Sequence, residues 1–144
     1  MSDIPTTYRT RYHWQGEASE PLHGKLHLAD MAPLLCGGPH DGSRYDPEHL
    51  LVAATEICLA NTFFVIADKS KLEVQAYQSS AEGQLIFEDK QGYRFSEIKI
   101  WPVVTAAEAE LDKAKRTLEK AHKACLVSRS LNCPVAVEPE FRAA

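Results

Sequence analysis

Residues 46–69 read DPEHLLVAATEICLANTFFVIADK, and this stretch decides the fold. Asp46 can accept hydrogen bonds from the free N–H groups of a first helical turn, Pro47 suits the first position inside a helix, and Glu48 favours the positive end of the dipole. A helix is predicted to start here. From Leu50 to Ala67 only Thr55, Glu56, Cys58, Asn61 and Thr62 interrupt the apolar run. No face is left for water, which predicts a long helix buried at the centre of the molecule. The run is shorter than a bilayer span normally needs and holds Glu56 and Asn61, so a membrane span is rejected. One thiol, Cys58, sits in its middle.

The surroundings of this helix must come from a chain of 144 residues. That length predicts a single domain over residues 1–144, with a core large enough to need neither disulfides nor a structural metal. The net charge of -4 and the absence of a basic run argue against nucleic acid as a partner. The opening MSDIPTTYRTRYHW has no apolar segment like a secretory leader, which predicts a cytoplasmic protein with reduced thiols. The four cysteines, Cys36, Cys58, Cys125 and Cys133, are then core fillers or redox groups, and no CxxC occurs. A zinc site from His122, Cys125 and Cys133 would lack a fourth ligand nearby, so no metal is expected.

Upstream of the helix, residues 7–14 alternate: Tyr8, Thr10, Tyr12 and Trp14 face one way, Arg9, Arg11 and His13 the other. This predicts a half-buried strand, paired antiparallel with residues 25–29. A short apolar piece at 31–35 and a loop at 36–45, CGGPHDGSRY, lead into the helix. Downstream, strands are expected at 72–80 and 84–88, with a bend or bulge at Gly83, then a turn at 89–92. A further strand follows at 93–104, with a bulge or an edge near Pro102. Thr105 and Glu108 have the form of a capping box opening a second helix. There Leu111, Ala114, Leu118, Ala121 and Cys125 make one apolar stripe, while Asp112, Lys115, Arg116, Glu119 and Lys120 face water. A helical turn at 126–131 and a last strand at 134–138 complete an α+β chain.

Taken singly, the chemistry-bearing residues have bland readings. Cys58 alone is most simply a buried structural cysteine, and Cys125 fills the end of its stripe. Glu48 answers the helix dipole, and Arg44 is a solvated loop residue. Glu56 is expected to be exposed or salt-bridged, and His122 to be a partly exposed helix residue one turn from Cys125. Cys36 and Cys133 are assigned no catalytic part, Cys133 being expected beside the last strand.

The segment YDPEHLLVAATEICLANT resembles the central helix of the OsmC/Ohr family, in which a Pro-Glu pair opens a buried helix and the reactive cysteine follows ten residues after the glutamate. Glu48 and Cys58 keep that interval. The segment AHKACLVSRSL, with Cys125 and Ser128, resembles the family's second signature, a cysteine ending a later helix in a form such as Cys-Pro-x-Ser. Leu126 replaces the proline. The family's arginine is absent from the hairpin segment HWQGEASE, so Arg44 in GSRYDPE is the best match for one supplied by the loop.

The resemblance implies an OsmC-like fold, with antiparallel sheets packed around a buried central helix in an intertwined homodimer. It also implies a peroxidase without haem, flavin or metal. Cys58 would reduce an organic hydroperoxide, Cys125 would close a disulfide on the resulting sulfenic acid, and an external dithiol of lipoyl type would reduce it. Arg44 would hold Cys58 as thiolate while Glu48 orients the guanidinium. Leu51, Phe63 and Phe64 would favour an organic peroxide if they line the pocket. The alternatives are a non-catalytic protein of the same fold, binding a small apolar or electrophilic ligand at the dimer interface, and a redox sensor switched by the Cys58–Cys125 disulfide.

Overall fold

The computed structural model describes residues 4–144, and the first three residues lie outside the described residues. The chain divides at Leu50 into two compact units.

The first unit holds a three-stranded antiparallel sheet in the order β1-β2-β3, made by β1 (Thr10–Trp14), β2 (Gly24–Leu28) and β3 (Leu34–Cys36). The expected hairpin is present, with Arg11 opposite His27 and His13 opposite Lys25. Gly24 is fixed by packing: a Cβ there would lie 2.2 Å from the Tyr12 ring. The expectation of a half-buried β1 is corrected, because all five of its residues are exposed. Alternation placed aromatic groups on one face but could not tell whether anything covers that face.

Helix α1 (Pro47–Lys69) begins in the first unit and continues through the second. Its start is as the residues dictate: Asp46 Oδ1 accepts from the His49 N–H at 2.8 Å and Oδ2 from the His49 imidazole at 2.7 Å. Burial alone would push the Asp46 carboxyl up, but the His49 N–H, the His49 ring and Glu48 together hold it below the ordinary value. The prediction of burial all round is corrected. One stripe, Thr55, Leu59, Phe63 and Ala67, is buried, while Ile57, Phe64 and Val65 on the far side are 58 %, 45 % and 45 % exposed. The helix is long and apolar enough to cross a membrane by composition, yet its buried stripe belongs to the protein core.

In the second unit, β4 (Val74–Glu88) and β5 (Gly92–Ala106) form a long antiparallel hairpin. The register shifts at two places, one leaving Gln75 and the other Ser96 without a partner; the second falls between Gln84 and Leu85, one residue past the irregularity expected at Gly83. Gly83 also serves packing: a Cβ would meet Phe95 at 2.6 Å and Val52 at 2.7 Å. Strands β6 (Val135–Val137) and β7 (Glu140–Ala143) both run parallel to β5, so this sheet is mixed rather than wholly antiparallel.

Pro102 is neither at a bulge nor on an edge. It pairs with Ser79 and falls in the gap between the β6 register, which ends at Ile100, and the β7 register, which begins at Val103. A residue without an N–H is tolerated there because neither parallel neighbour calls for one.

The capping box is also corrected. Thr105 stays in β5, Glu108–Glu110 forms a 3-10 turn, and α2 (Leu111–Ala124) starts without a side-chain cap. Its stripe is as expected from Ala114 on, with Ala114, Leu118, Ala121 and Cys125 buried against a core that includes Leu59, Phe63, Ile98, Ile100 and Val104, while Leu111 is only part-buried. The short α3 (Leu126–Ser130) follows directly.

Candidate active site

Cys58 projects from the flank of the buried stripe on α1, and Cys125 closes the buried stripe of α2. Ten residues at 100° per residue turn Cys58 about 80° from Glu48 and carry it about 15 Å along the axis, so the two share a helix without facing each other. Cys125 is fully buried, Cys58 is half-buried, and both are free thiols. The two sulfurs are side-chain neighbours. Burial pushes the Cys125 thiol up, and the adjacent Cys58, as hydrogen-bonding partner and as charge, pushes in the same direction. Ser128 opposes both, its hydroxyl donating to the Cys125 sulfur at 3.4 Å. The backbone turn that makes this possible is α3, whose first bond runs from the Arg129 N–H to the Cys125 carbonyl at 3.0 Å.

Other residues read from the sequence are placed differently. His122 donates from Nε2 to the Val135 carbonyl at 2.9 Å and so anchors β6. Among the described residues no group of three His, Cys, Asp or Glu side chains could hold a metal. Cys133 packs against the core edge. Glu56 is neither exposed nor salt-bridged, for it accepts a hydrogen bond from Ser79 at 2.6 Å. Burial, with the Glu56 charge beside it, pushes the Tyr77 hydroxyl up to about 12. That hydroxyl is buried without a partner. Sequence reasoning passed over this cluster because its members lie on α1 and β4, which no spacing rule connects. Phe63 is part of the core, stacked at 5.6 Å against Tyr77, so it does not line an open pocket.

In the first unit the expected Arg44–Glu48 pair is not formed. Arg44 Nη1 donates to Gln15 Oε1 at 2.7 Å, to the Cys36 carbonyl at 3.1 Å and to the Gly24 carbonyl at 3.3 Å, while Glu48 Oε2 is buried without a partner. The arginine therefore clamps the loop after β3 onto the hairpin, because three fixed carbonyl-type oxygens converge where its fork reaches. A second clasp joins His23 to Asp41 at 2.8 Å. Two bonds from Ser43 and this one from His23 hold the Asp41 carboxyl down to about 2. Glu48 lines a mostly apolar cavity of about 490 Å³ together with Tyr12, Leu22, Leu26, Cys36 and Tyr45.

Comparison with protein families matches residues 40–140 to the family described as OsmC-like protein. A search of curated proteins finds no match. Among solved structures, an OsmC-like protein of unknown function from Vibrio cholerae superposes with a TM-score of 0.82 at 21 % identity, over 94 % of this chain and 99 % of that one. An organic hydroperoxide resistance protein from Legionella pneumophila gives 0.75 at 18 % identity, over 97 % and 99 %. The organic hydroperoxide resistance protein OhrB of Bacillus subtilis gives 0.62 at 18 % identity, over 94 % and 98 %. Likeness at these identities establishes the fold.

Proposed function

The chain belongs to the OsmC-like family, and from that premise we propose that it is a thiol-dependent peroxidase reducing organic hydroperoxides through Cys58, with Cys125 as resolving thiol. The observation that carries this reading is the adjacency of the two free thiols across α1 and α2. Three of the structures it resembles bear the name organic hydroperoxide resistance protein.

The Cys58 thiolate attacks the terminal oxygen of the hydroperoxide. The O–O bond breaks, the alkoxide takes a proton and leaves as alcohol, and the sulfur is oxidised by two electrons to a sulfenic acid. Cys125 then attacks that sulfur. An S–S bond forms, the S–O bond breaks, and the oxygen departs as water with the Cys125 proton. An external dithiol, of lipoyl type by family analogy, returns two electrons and regenerates both thiols. The cycle calls on no metal or prosthetic group. Reduced thiols of this kind suit the cytoplasm.

A homodimer is part of the proposal. The exposed stripe of Ile57, Phe64 and Val65 on α1, with Phe87 and Tyr93 at the end of the β4–β5 hairpin, is the kind of apolar surface that a second copy covers. A solution mass of twice 16.0 kDa is expected.

The test is kinetic. With a dithiol, the wild-type protein consumes cumene hydroperoxide and Cys58→Ser does not; equal inertness of the two over a panel of peroxides ends the enzyme reading. A second reading, binding of a small apolar ligand without turnover, is favoured by the cavity beside Glu48 and Cys36. Alkylation of Cys58 as pH is varied separates them, since a reactive thiol is trapped well below the pH at which free cysteine reacts.

A further inference from the structure

The reductive half of the cycle proposed above starts from a disulfide whose two ends are unlike. Cys125 is 0 % exposed where the buried stripe of α2 ends, while Cys58 is half-buried on the flank of α1. A second copy of the chain can only add cover, so Cys125 stays closed off in a dimer as it is within one chain. The turn into α3 encloses it further: the Ser128 hydroxyl donates to its sulfur at 3.4 Å, and the Arg129 N–H donates to its carbonyl at 3.0 Å.

Thiol–disulfide exchange asks for access to the attacked sulfur. The incoming thiolate, that sulfur and the sulfur that leaves lie nearly in line. An attack on Cys125 would have to come from the side of the core, or wait until α3 lifts away and breaks both of those bonds. An attack on Cys58 meets no such barrier from within the chain, because its line of approach runs inward and Cys125 lies on the far side as the leaving sulfur. The opening that admits a peroxide to Cys58 is the one such a thiolate would use.

We propose that the external dithiol attacks Cys58 and not Cys125, so that peroxide and reductant reach one sulfur from the same side and Cys125 meets neither. The first thiolate of the reductant bonds to the Cys58 sulfur. The Cys58–Cys125 bond breaks, and Cys125 departs with its electron pair and takes up the proton the reductant released. Charge arriving on Cys125 strengthens the bond from Ser128, since hydrogen bonds to an ionised acceptor are the stronger ones. The second thiol of the reductant then attacks the reductant's own sulfur. A cyclic disulfide forms and leaves, and Cys58 is freed as the thiolate, two electrons having passed to the protein. Burial pushes the Cys125 thiol up, which makes it a reluctant leaving group and gives the second thiol the task of drawing the exchange forward.

The test uses the whole wild-type protein with its disulfide closed by diamide. No peroxide enters, so a failure of the peroxidase reading shows separately, as failure to consume cumene hydroperoxide. Excess 2-mercaptoethanol is added, samples are quenched in acid at intervals, and free thiols are capped with N-ethylmaleimide. Trypsin places Cys58 in residues 45–69 and Cys125 in residues 124–129, so peptide mass locates the mixed disulfide. It is expected on Cys58, with the maleimide on Cys125. The reverse exchange gives a second measurement. Native Cys125→Ser should take up an aromatic disulfide reagent, dithiobis(nitrobenzoate), on Cys58 at least about tenfold faster than native Cys58→Ser takes it up on Cys125, and the difference should vanish in urea. The proposal is overturned if the adduct sits on Cys125, is shared evenly, or is missing from Cys58 while the disulfide disappears, or if the two native variants react at equal rates. Failure of diamide to join the two thiols overturns it together with their pairing.

Discussion

The Ser128 hydroxyl donates a hydrogen bond to the sulfur of Cys125 at 3.4 Å, and it is the counterweight to burial and to Cys58 at that thiol. In the proposed cycle Cys125 attacks as a thiolate, so the group that favours its ionised form sets how fast the disulfide closes. Ser128→Ala removes one hydrogen bond, about 0.5–1.5 kcal/mol, and is expected to slow closure roughly three- to tenfold near neutral pH. Single-turnover oxidation with one equivalent of cumene hydroperoxide, quenched and read by intact mass, measures the step. The deficit should shrink as pH rises and the thiol ionises without help, and Ser128→Thr should restore the rate. An equal deficit at every pH would mean that Ser128 is only structural.

Gly83 is held by two side chains from different elements. A Cβ would approach Phe95 at 2.6 Å and Val52 at 2.7 Å, and both residues pack on the core, so neither can swing away freely. Gly83→Ala is expected to destabilise the protein by about 1–3 kcal/mol, as overpacking does. Gly42→Ala meets nothing within 4 Å and serves as the control, within about 0.5 kcal/mol of wild type. Urea denaturation of both variants checks this.

Asp46 closes the first turn of α1 through two bonds to His49. Its loss in Asp46→Ala is expected to cost about 1–2 kcal/mol. The folded carboxyl ionises below its ordinary value of 3.8, so its contribution is fully present above that pH and is lost as the pH falls through the lowered value. The stability gap between wild type and Asp46→Ala should therefore narrow in acid. A gap that is flat from neutral pH down to the acid limb contradicts the sign.

Local rules served where the determinant was local. The Asp46-Pro47-Glu48 opening, the Ala114-Leu118-Ala121-Cys125 stripe and the hairpin at Arg11 and Lys25 were all legible, because caps and periodicities are written in adjacent residues. The apolar stripe put Cys125 on the core-facing side of its helix, where it could meet Cys58, but no spacing rule links positions on two helices, and the family resemblance was what made the pairing specific. Burial was misjudged at Ile57, Phe64 and β1, because hydropathy reports what a surface prefers and not which surface covers it. The bonds Arg44 makes in place of a Glu48 pair were illegible for a related reason: sequence places a cation in a loop, but the acceptors that capture it, Gln15, Gly24 and Cys36, come from other segments. Pro102 escaped because the gap it occupies exists only once β6 and β7 are both docked on β5.

Separating the two thiols chemically gives the sharpest prediction. In Cys125→Ser the sulfenic acid on Cys58 has no neighbour to condense with, so oxidation should halt at one added oxygen and, with excess peroxide, proceed to the irreversible sulfinic and sulfonic acids. The first burst of peroxide loss should match wild type, while turnover with the dithiol falls by an order of magnitude or more, since the external thiol must reach a half-buried sulfur directly. In Cys58→Ser neither burst nor turnover remains, because Cys125 is wholly buried, out of reach of the peroxide, and that burial pushes its thiol up. Intact mass after timed peroxide exposure distinguishes the three proteins. Were Cys125→Ser to cycle at the wild-type rate, the resolving role would belong to another thiol.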